Sequence, residues 1–143
     1  MIATFFGHRD CLPDIIPKLE RTIHELILQK SVDLFYVGNQ GMFDGYIQSI
    51  LRECKERYPQ IRYYVVLPYL PAPMNGMAIT EPFETIFPQG LEYAPKRFAI
   101  CQRNEWMIDH SDIVVTYVTR PFGGAAKYRE LAAKKGKNII KLA

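Results

Sequence analysis

Short apolar runs alternate along this chain with amphipathic helical patterns, and this alternation restricts the fold more than any other feature. The runs, rich in β-branched and aromatic residues, occupy 2–6, 34–37, 61–67, 113–118 and 138–142. Apolar residues at helical spacing fill 16–27, 43–54, 97–110 and 123–135. Apolar strands that alternate with helices are typical of a parallel sheet covered on both faces. The sequence therefore predicts an α/β fold, a doubly wound parallel sheet of about five strands, with the first strand central.

Length and charge restrict the classes of function that the chain can have. The 143 residues suffice for one domain, 1–143, with a sizeable core. The net charge of +3 is mild and the basic residues are spread along the chain, which makes nucleic acid an unfavoured partner and suits a compact anionic ligand. No apolar stretch reaches membrane-spanning length, and no cluster of His, Cys and carboxylate residues has metal-ligand spacing. We therefore expect no membrane partner, no metal and no cofactor.

The three cysteines, Cys11, Cys54 and Cys101, are far apart and form no CxxC motif. An odd, sparse set of this kind is typical of reduced thiols, so a cytoplasmic location is expected. The oligomeric state is left open, and a homo-oligomer is one alternative.

One stretch, 68–96, breaks the pattern and contains six of the ten prolines. So long a loop inside a compact domain is either a lid over a site or an insertion with local structure. Because it leaves the third strand at its carboxyl end, we expect it to pack over or beside a ligand. Its aromatic residues Tyr69, Phe83, Phe87 and Tyr93 could contact a base or an oligomer partner.

Three strands end in polar turns that contain glycine, and in a doubly wound sheet ligands bind beyond these carboxyl ends. The turns read GHRD at 7–10, GNQGMFD at 38–44 and RPFGGAAK at 120–127. Glycine allows close backbone approach, and a turn that opens a helix presents N–H groups to an anion. Tight turns with solvated charges are the alternative for each. The ligand-binding residues expected here are Gly7, His8, Arg9, Gly38, Asn39, Gly41, Asp44, Gly123, Gly124 and Lys127.

Two further charged residues are candidates for catalysis. Arg103 has apolar neighbours at −3 and +4, Ile100 and Met107, so it lies on or next to the buried side of its helix. Glu130 lies on the last helix, three positions after Lys127. An arginine can stabilise a leaving group and a glutamate can assist a water, whereas a surface ion pair is the alternative for both.

These motifs resemble the SLOG superfamily of Rossmann-like proteins, and within it the short YpsA-like proteins of bacteria and phages. The resemblance spans nearly the whole chain and rests on GHR at 7–9, GxxGMFD at 38–44, RxxxM…SD at 103–112 and GGxxKxxE at 123–130. It implies a nucleotide-type ligand. In the related lonely-guy phosphoribohydrolases, which release the base from nucleoside monophosphates, Arg103 and Glu130 match catalytic-type positions. The chain departs from that branch at Asn104, Phe122, Ala126 and Lys127, which replace Lys, Pro, Gly and Thr.

Three functions follow as hypotheses. The preferred one is binding of a nucleotide or nucleotide-derived anion by a sensor or regulatory module. The alternative is an N-glycosidase that acts on a nucleoside monophosphate through Arg103 and Glu130, which then must face one cavity together with Gly123 and Gly124. A nucleic-acid-associated module, as found in another SLOG branch, is disfavoured because the sequence contains no concentrated cluster of basic residues.

Overall fold

A computed structural model describes residues 1–69, 84–91 and 94–143. Six strands are present there: β1 Ile2–Gly7, β2 Leu34–Val37, β3 Arg62–Val66, β4 Glu84–Ile86, β5 Ile113–Tyr117 and β6 Asn138–Lys141. Four α-helices connect them: α1 Ile16–Leu28, α2 Met42–Arg57, α3 Lys96–Asp109 and α4 Gly124–Lys134. A 3₁₀ turn at Pro13–Ile15 precedes α1.

The strands form one parallel sheet in the order β4-β3-β2-β1-β5-β6. The chain winds from β1 through β2 and β3 to β4, and then returns to place β5 on the other side of β1. The predicted doubly wound sheet and its central first strand are both confirmed. The point at which strand order reverses lies between β1 and β5, where Phe6 pairs with Thr116 and Gly7 with Tyr117. Parallel sheets of this kind bind ligands beyond that point.

Each face of the sheet carries its own apolar core. Neighbouring residues of β1 point to opposite faces, so Phe5 packs with the α1 and α2 side and Phe6 with the α3 and α4 side. On the first face Leu19 and Leu51 are fully buried, and on the second face Met107 is 1% exposed. Two covered faces explain why the strands are apolar throughout rather than alternating.

The sixth strand, β4, lies in the proline-rich stretch for which the sequence predicted a loop or an insertion with local structure. It pairs with the outer side of β3 through Tyr64–Glu84 and Val66–Ile86 and forms one edge of the sheet. Its three residues are too few to show a periodic pattern, so the sequence did not predict this strand.

The prediction that this stretch covers the ligand site falls largely on residues outside the described ranges, including Phe83 and Tyr93, and stays a prediction. Tyr69 is 38% exposed, and the Lys96 ammonium lies 5.0 Å from the centre of its ring. Phe87 is half-buried. Within the described ranges, no helix combines the length and the apolar character needed to cross a membrane.

Candidate ligand-binding site

A cavity of about 460 Å³ opens at the carboxyl edge of the sheet, at the reversal point between β1 and β5. The turns after β1, β2 and β5 all reach it, as the sequence predicted, and α3 and α4 complete its wall. Its lining consists of Phe5, Phe6, Gly7, His8, Arg9, Asp10, Gly38, Gln40, Asp44, Ile100, Cys101, Arg103, Asn104, Met107, Arg120, Gly124, Ala125, Lys127 and Tyr128. We call it the switch-point cavity.

The first turn is shaped by packing as well as by the cavity. A Cβ on Gly7 would lie 2.4 Å from the Phe43 ring of α2, which leaves no room for a side chain. Arg9 is exposed at the cavity wall, and its carbonyl accepts a hydrogen bond from the Met42 N–H at 2.9 Å. The glycine therefore allows α2 to approach β1, and Arg9 supplies a positive charge beside that contact.

His8 joins the two strands at the reversal point. Its Nε2 accepts a hydrogen bond from the Thr119 N–H at 2.9 Å, which leaves the proton of the neutral ring on Nδ1. Burial and, next, the positive charge of Arg120 lower the pKa of His8, while Asp10 opposes them. The ring is 5% exposed and packs edge-on against Tyr117. His8 thus contributes a neutral imidazole to the cavity, and its available polar atom is a donor.

The second turn is closed by its own helix. The Gln40 N–H donates to Asp44 Oδ2 at 2.9 Å, and a Cβ on Gly38 would lie 2.6 Å from that oxygen. Gly41 has φ +93° and ψ −177°, a conformation that is essentially restricted to glycine. The sequence predicted free N–H groups at this helix start. Two of these groups are occupied, because Asp44 and the Arg9 carbonyl accept from Gln40 and Met42.

Asp44 is the most perturbed acid of the cavity. Burial raises its pKa to about 6, although the Gln40 N–H and the charges of Arg103 and Arg9 favour the ionised form. A carboxyl group with a pKa close to neutrality can exchange a proton under physiological conditions, and such groups cluster at functional sites. Asp44 therefore adds to the cavity lining a carboxyl group that is harder to ionise than usual.

Arg103 is on the buried side of α3, as predicted, and is 1% exposed. Its Nη1 donates to the Val66 carbonyl at 2.8 Å and to Asn39 Oδ1 at 2.9 Å, and its Nε donates to Asn104 Oδ1 at 2.7 Å. Burial lowers its pKa, yet a guanidinium remains charged at physiological pH. Arg103 thus holds α3 against the ends of β2 and β3 and brings a positive charge to the cavity.

Asn39 is predicted to contact a ligand, and in the structure its side chain contacts Arg103. Its side-chain oxygen accepts from Arg103 and, at 3.3 Å, from the Gln40 amide. Asn39 is not part of the cavity lining. It positions the arginine, and sequence spacing alone could not reveal a contact across 64 residues.

The third turn is the open one. Gly123 has φ +95° and ψ 176° and precedes α4, almost the same backbone conformation as Gly41 before α2. Gly124 and Ala125 line the cavity, whereas Gly123 faces a neighbouring depression. Within the described part of the chain, the backbone N–H groups of residues 124–126 have no hydrogen-bond acceptor. Because these groups open a helix of 11 residues, they favour an anion.

Lys127 extends the positive wall from this helix. Its ammonium lies 4.0 Å from Cys101 Sγ and 5.4 Å from the centre of the Tyr128 ring, and the side chain is exposed at the cavity edge. Tyr128 stacks on Phe6 with ring centres 5.4 Å apart, and burial raises its pKa. The lysine can therefore reach a bound group while the tyrosine forms an apolar floor.

Glu130 does not meet Arg103. It is exposed and lines a separate surface depression with Phe122, Gly123 and Lys141 among others, rather than the switch-point cavity. The reason is helical spacing: Tyr128 faces the sheet, and two residues further along α4 the direction has turned by about 200°. The structure thus separates the two residues that the sequence assigned to one catalytic pair.

Other residues of the lining, most notably Asp10 and Arg120, were not among those predicted from the sequence. Both lie in the glycine-containing turns at 7–10 and 120–127, so their position in those turns was the available signal. Arg120 donates from Nη1 and Nη2 to the Asp10 carboxylate at 3.4 and 3.3 Å. Among the described residues, no three His, Cys, Asp or Glu side chains lie close enough to hold a metal ion.

Neither a scan against family models nor a search of curated proteins finds a match to this chain.

Proposed function

We propose that this protein binds a nucleotide or a nucleotide-derived anion in the switch-point cavity and works as a sensor or regulatory module in the cytoplasm. The observation that carries the proposal is the charge of the cavity wall. Four permanent cations, Arg9, Arg103, Arg120 and Lys127, face two carboxyl groups. Even with Asp10 and Asp44 both ionised, the cations outnumber the carboxylates by two. The wall therefore favours an anion.

The size and composition of the cavity support a nucleotide in particular. A volume of about 460 Å³ lies within the range of small-molecule sites, roughly 300–1,000 Å³. The lining joins apolar surface from Phe6, Met107 and Tyr128 to the open N–H groups at the start of α4. A ligand with a flat apolar part and a phosphate matches both, and the resemblance to SLOG proteins implies the same class.

A thermal-shift screen against nucleotides, dinucleotides and ribose phosphates tests the proposal. A ligand present at about 100 times its dissociation constant should stabilise the protein by about 2.7 kcal/mol. Lys127→Ala should weaken binding of any ligand found, because a charge at the cavity edge is lost. The matched control is Lys134→Ala, which removes an exposed lysine from the last turn of the same helix and should leave affinity unchanged. Equal affinity of both variants would contradict the location.

An N-glycosidase is the second candidate function. One observation favours it, with Asp44 in place of Glu130 as the acid. Glu130 is outside the cavity, but Asp44 is a lining carboxyl group with a pKa of about 6, close to the charge of Arg103. A group of that kind can transfer a proton to a leaving base. If the protein releases base from nucleoside monophosphates, Asp44→Asn should lower turnover by about 10²–10⁴-fold, whereas Glu130→Gln should not.

An assay for free base with purine and pyrimidine monophosphates separates the two functions. Measurable binding of a nucleotide without release of base supports the sensor function and rules out the N-glycosidase function. Base release that depends on Glu130 rather than Asp44 would contradict the assignment of the site.

A further inference from the structure

An ion pair crosses the reversal point at the mouth of the switch-point cavity. Asp10 follows β1 and Arg120 follows β5, and both line the cavity. The guanidinium reaches the carboxylate through two N–H···O contacts of 3.3 and 3.4 Å. Asp10 is 70% exposed at its side chain and Arg120 is 38% exposed. The pair is therefore accessible, and breaking it requires no rearrangement of the core.

Arg120 uses its donors incompletely in this pair. Charge-assisted N–H···O bonds are typically about 2.7–2.9 Å long, and both contacts to Asp10 exceed that range. Its Nε is buried and has no hydrogen-bond partner among the residues that the structure describes. The Phe122 ring lies 5.6 Å from the guanidinium carbon and supports it from one side. Arg120 is thus held in place beside the cavity with donor capacity to spare.

A phosphate can satisfy the Nη1 and Nη2 donors of Arg120 better than Asp10 does. It offers three acceptor oxygens and a larger charge than a carboxylate, and it matches the planar fork of arginine. The open N–H groups at the start of α4 follow Arg120 by only four residues and reach the same cavity. We propose that Arg120 forms a phosphate subsite of the switch-point cavity, and that a ligand phosphate binds there by displacing the Asp10 carboxylate. This inference rests on the proposed function, and it identifies the Asp10 carboxylate as the group that the ligand phosphate replaces.

The competing explanation is that Asp10 and Arg120 form an ordinary solvated ion pair. The two explanations predict opposite effects of one substitution on the affinity for phosphate. If Asp10 occupies the subsite, Asp10→Asn removes a competing anion and strengthens phosphate binding. If the pair only links the two turns, the same substitution loosens the mouth and leaves binding unchanged or weaker. An exposed ion pair is weak, so the gain in affinity should be about two- to fivefold.

The experiment is calorimetric titration of the protein with inorganic pyrophosphate, a probe that needs no knowledge of the base. Asp10→Asn should bind about two- to fivefold more tightly than wild type, and Arg120→Gln about tenfold or more weakly. In the Arg120→Gln background, Asp10→Asn should no longer increase affinity, because the competition is gone. Thermal denaturation of each variant confirms that it remains folded.

The matched control is Asp109→Asn, which removes another exposed, ion-paired carboxylate at the opposite edge of the sheet. An equal gain for Asp109→Asn and Asp10→Asn would show an effect of net charge alone and overturn the subsite. A gain for Asp10→Asn that persists without Arg120 would also overturn it. If nucleotides bind but pyrophosphate binds no variant, the subsite fails and the proposed function stands. If neither binds, the proposed function itself fails.

Discussion

Ionised Asp44 should make the protein less stable as the pH rises, and the structure gives the size of the effect. Burial raises the pKa of this carboxyl group from 3.8 to about 6 in the folded protein. The folded state therefore holds the proton more tightly than the unfolded chain between these values, so stability falls as the pH increases through this window. At about 1.36 kcal/mol per pKa unit, the loss is about 3 kcal/mol and is complete above pH 7.

Asp44→Asn removes the titrating group and keeps an oxygen that can accept from the Gln40 N–H. The difference in free energy of unfolding between the variant and wild type at pH 4 serves as the baseline. By pH 8 the variant should have gained up to about 3 kcal/mol relative to that baseline. Urea denaturation between pH 4 and pH 8, followed by fluorescence of the single tryptophan, Trp106, measures this.

Asp109→Asn is the control, because it removes an exposed carboxylate at the other edge of the sheet. Parallel pH profiles for wild type and Asp44→Asn would refute the reasoning, since they would mean that the carboxyl group is no harder to ionise in the folded protein. A confirmed penalty would indicate that the site retains a costly carboxylate for a reason other than stability.

Two further predictions concern the glycines. Gly7→Ala should destabilise the protein by about 1–3 kcal/mol, because the new methyl group overlaps the Phe43 ring, and Phe43→Leu in the same chain should recover part of the loss in urea denaturation. Gly123→Ala should cost about 1–3 kcal/mol because of its φ of +95°, whereas Gly124→Ala, whose nearest neighbour for a Cβ is 3.9 Å away, should be nearly neutral. Equal thermal stability of the two alanine variants would contradict the conformational argument.

The fold was predictable because its signals are local and repeated. The apolar strand from Ile2 to Phe6 ends in a glycine, and the same arrangement recurs after β2, so strand, turn and helix could be placed from spacing. Arg103 could be placed on the buried side of its helix from Ile100 and Met107. Strand β4 was not predicted, because three residues are too few to show periodicity and because its partner strand β3 is distant in sequence.

The site was predictable only in part, because side-chain partners depend on contacts between elements. Glu130 looked suitable from motif spacing, but which face of α4 meets the sheet is decided by Ala125, Tyr128 and Ala132. Nothing in the sequence showed that Asp44 would accept from Gln40 and close its own turn. The pairing of Asp10 with Arg120 likewise joins residues 110 positions apart.

Nucleotide binding in the switch-point cavity can be tested by a two-dimensional NMR titration of ¹⁵N-labelled protein with AMP and ADP. We expect the amide shifts to concentrate at 7–10 and 124–127, the turns that form the wall of the switch-point cavity, while the distant end of α1 stays unchanged. Shifts confined to the surface depression around Glu130, or no shifts at millimolar nucleotide, would contradict it.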